Sequence, residues 1–414
     1  MKRSEGGQLT LRIVRSLSEI EEIRESWTAW QSNPISDIDN YFSIVRLRPE
    51  IQRPHVMVVY RDGHPDSILV GRLEHTRISF KLGYLNLFQP QVRVLCFMYG
   101  GFLGNQSAEN SEFVTRGIVK CLSQGEADVA RLEYVRTDSS LFEAAKRVPG
   151  IQCRDHFAPI DLNGCLRLPG TFGEFLGSLS KKERHNLRRQ ARRLETDFPG
   201  EMRIQCFRQE NQIEDLIRVT EEVAKKTYQR GLGVGFHDSL ETRKRLRMAA
   251  QRGALRGCIL YLQDQPCAFM IGNRYQQTLH GAFMGYDPRY TEYAPGSQLF
   301  MHWIREAFES NGEKSVSEID LGLGDARYKR AIYNHMWHES LVYIFAPTLK
   351  GLRVNFQRTT TCLIDRSARR LVTNTAFVEK VKKVLRSRAL ISSGQPGGTS
   401  VPTAYSRPDS AEAR

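Results

Sequence analysis

His280-Gly-Ala-Phe-Met-Gly-Tyr-Asp287, then Tyr293-Ala-Pro-Gly-Ser-Gln298, then Ser317-Glu-Ile-Asp-Leu-Gly322 running into Gly324-Asp325-Ala-Arg-Tyr328-Lys329: residues 280–329 decide the fold. The first segment alternates as a strand, and a helical run from Gln298 to Phe308 follows the Pro-Gly-Ser turn. The third segment is a strand that leads into a short helix, residues 325–333. A helix start presents N–H groups without intrahelical partners and the positive end of a dipole, which suits a phosphate. The strand beside it brings carboxylate and phenol groups close to that anchor. A helix N-terminus, two strands and an Asp/Tyr/Lys cluster form a workable acyl-transfer site.

Working outward, strands at 255–262, 267–274 and 278–285 are separated by Gln263-Asp-Gln-Pro266 and Arg274-Tyr-Gln-Gln277, the pattern of an antiparallel meander. Amphipathic helices precede it at 212–228 and 242–253. Thr171-Phe-Gly-Glu174 and Ser180-Lys-Lys-Glu183 each read as a helix start. A strand at 339–345 is expected to close this unit. The first half alternates in the same loose order: an edge strand at 9–14, a helix at 18–30, strands at 55–60 and 67–73, and a glycine-rich break at Gly100-Gly-Phe-Leu-Gly104. A helix at 112–122, a strand at 130–134 and a helix at 140–147 complete it. The expected class is α/β (α+β), with two modules in tandem, each a mixed, mostly antiparallel sheet flanked by helices. The expected boundaries are 1–159, 160–347, a basic helical extension at 348–390 and a disordered tail at 391–414.

The 414 residues carry a net charge of +14, and two segments hold that excess. Residues 181–193 contain seven Lys/Arg against one Glu, and residues 350–390 eleven against two acids. Arg184, Arg188 and Arg192 fall at i, i+4 and i+8, one stripe on a helix, whereas Leu187, Ala191 and Leu194 form the packing face. The stripe is either a solvated face or a seat for an anionic group. Candidates are an acceptor, a lipid headgroup, RNA or the 3′-phosphate of a donor. No apolar run approaches a membrane span, and the first residues lack a signal peptide's apolar core, so the expected compartment is the cytoplasm. None of the eight cysteines forms a Cys-x-x-Cys pair, which leaves buried reduced thiols as the expectation and no metal. The oligomeric state is open.

Three segments carry a resemblance: Leu179-Ser-Lys-Lys-Glu-Arg-His-Asn-Leu-Arg-Arg-Gln-Ala-Arg-Arg-Leu-Glu195, Gly285-Tyr-Asp287 running into Tyr293-Ala-Pro-Gly-Ser-Gln-Leu299, and Ile319-Asp-Leu-Gly-Leu-Gly-Asp325 with Tyr328-Lys329. They make the second half similar to the GNAT superfamily. Within it, they resemble the CelD-like acyltransferases of bacterial polysaccharide loci, relatives of the Fem-type peptidyltransferases. The resemblance implies two GNAT-like modules and an acyl thioester, usually acyl-CoA, as donor. In that fold the turn corresponding to Tyr293, Gly296, Ser297 and Gln298 cradles pyrophosphate. Tyr293 stands where Gln or Arg is usual, and Gln298 where a small residue is usual.

Roles follow for the remaining candidates. Tyr328 is a general acid for the leaving thiolate, and Asp320 a base for the attacking amine. Asp325 is either a helix cap or part of the site. His280 lies on a strand that could face the cleft, and Lys329 could hold an anionic group. The expected activity moves an acyl group from CoA to an amine or hydroxyl of a small or glycan-linked acceptor. No metal is called for, because a thioester is already activated and positioning supplies much of the rate. Acyl-carrier protein as donor, a Fem-like transferase using aminoacyl-tRNA, and a non-catalytic nucleic-acid-binding protein remain alternatives.

Overall fold

The computed structural model describes residues 7–82, 85–227, 230, 235–309, 316–322 and 327–371. The chain folds into two compact units, Met1–Asp161 with His338–Val378, and Leu162–Trp337. Residues 372–414, which include the expected end of the basic extension and the tail, lie outside the described residues. Among the described residues no helix is long and apolar enough to cross a membrane.

In the first unit, β1 (Leu9–Val14) is followed by helices α1 (Leu17–Glu21), α2 (Arg24–Trp30) and α3 (Ile38–Leu47). Strands β2 (Ile51–Pro54), β3 (Val56–Arg61), β4 (His64–Arg77), the small hairpin β5 (Phe80–Leu82) and β6 (Leu85–Phe88), and β7 (Gln91–Gly104) come next. Helix α4 (Ala108–Ser123) crosses to β8 (Val129–Arg136), and α5 (Ser140–Arg147) follows. β1, β3, β4 and β7 pair antiparallel in that order. β8 then lies parallel to β7, as a helical crossover permits. The expected helix at 18–30 is two helices, because Ile23 turns out of line between them. The expected break at Gly100–Gly104 is instead the end of β7. Gly100 and Gly104 have positive φ of 63° and 75°, which lets the strand bulge and then leave the sheet without a Cβ clash.

In the second unit, β9 (Ile160–Arg167) is followed by α6 (Phe172–Ser178), α7 (Lys181–Asp197), β10 (Met202–Phe207), α8 (Ile213–Ala224) and α9 (Leu240–Gln251). The meander β11 (Leu255–Leu262), β12 (Gln265–Tyr275) and β13 (Thr278–Tyr286) leads to α10 (Pro295–Glu309), β14 (Glu318–Asp320) and α11 (Arg327–Arg330). Thr171 and Ser180 each accept the N–H of the glutamate three residues on, capping α6 and α7. β10 through β13 pair antiparallel, and β14 lies parallel to β13. Helix α10 buries Leu299, Phe300, Trp303, Ile304 and Ala307 against this sheet. The large apolar side chains among them contribute roughly 1.5–3 kcal/mol each.

The two units share one strand order, and each takes its sixth strand from an unexpected place. β9 pairs antiparallel with β14 in the second unit. Strand β15 (His335–Phe345), expected to close the second module, instead pairs antiparallel with β8 in the first. Its Val342, Ile344 and Ala346 neighbour belong to the first unit's core. Contacts between Cα atoms group His338–Val378 with the first unit. The physical reason is burial: β15 finds an apolar partner in Val129, Ala130 and Leu132. Helix α12 (Leu349–Leu371) begins the expected extension and packs with the first unit, where Asn355 and Arg358 bond to Gln152 O and Asp155.

Candidate active site

β13 and β14 pair over three rungs only, Thr278 with Glu318, Leu279 with Ile319 and His280 with Asp320. β13 continues to Tyr286, whereas the partner chain turns away at Gly322, whose φ of +72° is a left-handed conformation suited to glycine. A bulge at Ala282, where Ile271 opposes Phe283 and Gly272 opposes Gly281, bends β13 at the same level. The sheet therefore splits just past His280 and Asp320. Gly272 is required there, since a Cβ would sit 2.2 Å from His280 O.

Both residues of the last rung are buried, His280 at 4% and Asp320 at 7% exposure. His280 Nδ1 lies 3.4 Å from Asp320 Oδ2, an electrostatic contact. Among the described residues, neither ring nitrogen has a hydrogen-bond partner. Asp320 Oδ1 accepts the Gly322 N–H at 2.7 Å. Burial pushes the Asp320 carboxyl up, but His280, the Gly322 N–H and the Lys329 ammonium together outweigh it and hold it below the usual carboxylate range. A carboxylate held that low is a weak base, which argues against Asp320 as the group that deprotonates an amine.

Lys329 is not placed to hold a bound anion. It is buried, and its ammonium donates to Leu321 O and Gly322 O, both at 2.9 Å, bracing the turn that ends β14. Tyr328 lies on α11, but its side chain is outside the described residues, as is Asp325.

Helix α10 begins three residues earlier than expected, at Pro295, with Ala294 as its cap in a left-handed conformation (φ 48°, ψ 52°). Ser297 is thus the third helical residue and not an N-cap. The N–H groups of Ser297 and Gln298 both point back to Ala294 O, at 2.9 and 3.3 Å. Pro295 has no N–H, so Gly296 supplies the donor of the first turn that can reach a ligand. A Cβ on Gly296 would meet only Tyr286 Cδ1, at an ordinary 3.5 Å. The fold therefore does not require glycine at that position. Gln298 Nε2 is buried without a hydrogen-bond partner. Tyr293 is used in packing: its ring meets Phe198 edge-on at 5.1 Å, and the Arg193 guanidinium lies over it at 5.1 Å.

Asp287, which no functional reasoning singled out, anchors this turn. It is 1% exposed, accepts from the Arg289 N–H and side chain, and lies 3.4 Å from Lys226 Nζ. Burial raises its carboxyl, and Arg289 and Lys226 more than reverse that. The basic stripe divides. Arg184 donates to Gly177 O and Leu179 O at 2.6 and 2.7 Å, closing the end of α6, so it is a structural cap. Arg188 and Arg192 are exposed on α7.

The first unit repeats the split with different residues. β7 and β8 pair over four rungs that end at Phe97 and Leu132, and β7 bulges immediately afterwards. An apolar pair, each side chain 1% exposed, stands where the second unit has His280 and Asp320.

Residues 181–330 match a family model described as an acetyltransferase (GNAT) domain. Among solved structures the chain is similar to FemX, with a TM-score of 0.51 and 8% identity over 79% of this chain and 96% of that one. It is also similar to a probable N-acyltransferase from Enterococcus faecalis V583 (TM-score 0.40, 9% identity, 83% of this chain and 74% of that one). A third likeness is to the C-terminal domain of a putative lysylphosphatidylglycerol synthetase from Agrobacterium fabrum (TM-score 0.45, 11% identity, 83% and 95%). No curated protein sequence gives a significant match. The GNAT domain supports an acyltransferase-type function in general terms. Residues 181–330 are thus similar to an acetyltransferase (GNAT) domain, and the chain shares the fold of FemX.

Proposed function

We propose that the second unit transfers an acyl group from a CoA thioester to an amine or hydroxyl of a small or glycan-linked acceptor, in the manner of the CelD-like branch. The observation that carries this reading is the split between β13 and β14 at a buried His/Asp rung. Such a split exposes backbone N–H and C=O groups at the sheet interior, where an extended thioester arm can pair with them. The adjoining helix start offers the Gly296 N–H and the dipole of α10 to the donor's pyrophosphate, with Gln298 Nε2 as a further donor.

The acceptor's nitrogen or oxygen attacks the thioester carbonyl carbon, and His280 Nε2 takes its proton. Asp320 is a positioning residue that stabilises the imidazolium so formed. Collapse of the intermediate breaks the C–S bond, and the thiolate leaves with a proton supplied by Tyr328. The apolar pair at the matching rung of the first unit favours a single catalytic unit and leaves the first module a supporting or acceptor-binding role.

The test is calorimetric titration of the intact protein with CoA, acetyl-CoA and an aminoacyl-tRNA, joined to mass analysis of small molecules that co-purify. Saturable binding of CoA, or its recovery from the purified protein, is the expected result. Binding of the charged tRNA with no affinity for CoA would move the reading to a Fem-like transferase, for which exposed Arg188 and Arg192 on α7 would be the phosphate contacts.

A further inference from the structure

Away from the split, three elements of the second unit converge on four metal-ligating side chains. Cys206 on β10 and Cys258 on β11 are directly opposite in the antiparallel register, with their Sγ atoms 2.8 Å apart. From α10, His302 Nε2 lies 3.7 Å from Cys206 Sγ. Glu306 is four residues further along α10, on the same helix face. One donor atom from each of the four falls within 4.8 Å of all the others. Arg208 ion-pairs with Glu306, and its two terminal nitrogens approach Cys258 Sγ at 3.9 and 3.7 Å.

We propose that Cys206, Cys258, His302 and Glu306 form a tetrahedral site for a thiophilic divalent cation of the Zn²⁺ class. Two sulfurs, one imidazole and one carboxylate are donors such an ion accepts, and four is the number its structural sites use. The charges balance. Two thiolates, the Glu306 carboxylate, the Arg208 guanidinium and a dication sum to zero, whereas the same groups without the cation would crowd negative charge into a half-buried place. Arg208 acts from outside the ligand set, with N–H groups directed at the carboxylate and one sulfur, as groups surrounding a metal site commonly do. Cys206, His302 and Glu306 are partly exposed, which gives the ion a way in. Binding converts two S–H groups to thiolates and releases two protons to solvent. No linear motif announces the site, because its sulfurs are 52 residues apart and the imidazole 96 residues from Cys206.

The site would tie β10, the outermost strand of this unit, to β11 and to α10, the helix whose first turn the donor is proposed to use. Metal would therefore hold α10 in place without touching the reacting atoms. The experiment is titration of the reduced, chelator-treated protein with Co²⁺, followed by displacement with Zn²⁺. The expected result is one Co²⁺ per chain, with the intense visible absorption of a tetrahedral ion and a thiolate charge-transfer band, both erased by Zn²⁺. Metal should also raise the melting temperature. Cys206→Ser and His302→Gln should each weaken uptake at least tenfold. If Cys206→Ser fails to fold, His302→Gln on the half-exposed helix face carries the test alone. Absence of stoichiometric uptake, uptake unchanged by His302→Gln, or a Cys206–Cys258 disulfide in the protein as purified would each overturn the proposal. None of these readouts depends on CoA binding, so failure here is distinguishable from failure of the acyltransfer reading.

Discussion

His280 and Asp320 face each other across the last rung of the β13/β14 pair, 3.4 Å apart from Nδ1 to Oδ2, at the point where the two strands separate. The carboxylate is satisfied on its other oxygen by Gly322, and among the described residues the imidazole keeps Nε2 without a partner. That asymmetry supports the proposal that the histidine accepts the proton and the aspartate orients it.

His280→Ala is expected to lower kcat by about 10²–10⁴-fold, the usual contribution of a positioned general base, with a much smaller change in KM. Steady-state release of CoA thiol in the presence of acceptor measures it. Wild-type turnover in the variant would move the base elsewhere.

Asp320 ties stability to pH. Its folded carboxyl lies below the ordinary value of about 4, so the stabilisation it provides is complete above that range and is lost as pH falls through the folded value. Asp320→Asn should cost about 1–3 kcal/mol at neutral pH, since it removes the charge facing His280 and Lys329. Urea titrations of both proteins should show that gap narrowing below about pH 4. A gap independent of pH would mean that the aspartate acts through shape alone.

Gly296→Val should fold normally, because the space around this Cα holds only Tyr286 Cδ1 at 3.5 Å. It should weaken binding of acetyl-CoA by blocking approach to the Gly296 N–H. Equal affinity of variant and wild type by calorimetry would exclude α10 as the phosphate seat.

The arginine stripe should separate into two behaviours. Arg184→Gln removes two hydrogen bonds that close α6 and is expected to cost roughly 1 kcal/mol in denaturant titrations. The pair Arg188→Gln and Arg192→Gln should leave stability within about 0.5 kcal/mol, as exposed charges do, and alter only polyanion binding. Equal destabilisation by both changes would contradict the capping role.

Local pattern made much of the second unit legible. Alternation marked β11, β12 and β13, and the helical run from Gln298 to Phe308 after the Pro-Gly-Ser turn marked α10. Pattern says nothing about which strand a segment pairs with, so the pairing of β15 with β8 was not legible. Lys329 reads from sequence as a charge that either holds an anionic group or is solvated, and only the turn geometry of Leu321 and Gly322 explains its burial. The candidate role of His280 followed from its place on an alternating strand. Its partnership with Asp320 depends on a parallel register that skips a whole helix, which no linear spacing encodes.

The placement of β15 governs how this protein can be made and divided. The first unit's core needs Val342 and Ile344, which leave the ribosome after the whole of the second unit. A nascent chain can therefore close the second sheet while the first still lacks its sixth strand. A gene fragment ending at residue 159 would encode a sheet with β8 as a raw edge, open to pairing with any free strand nearby. A circular permutant that joins residues 338–371 to the start of the first module would restore each sheet from one continuous segment.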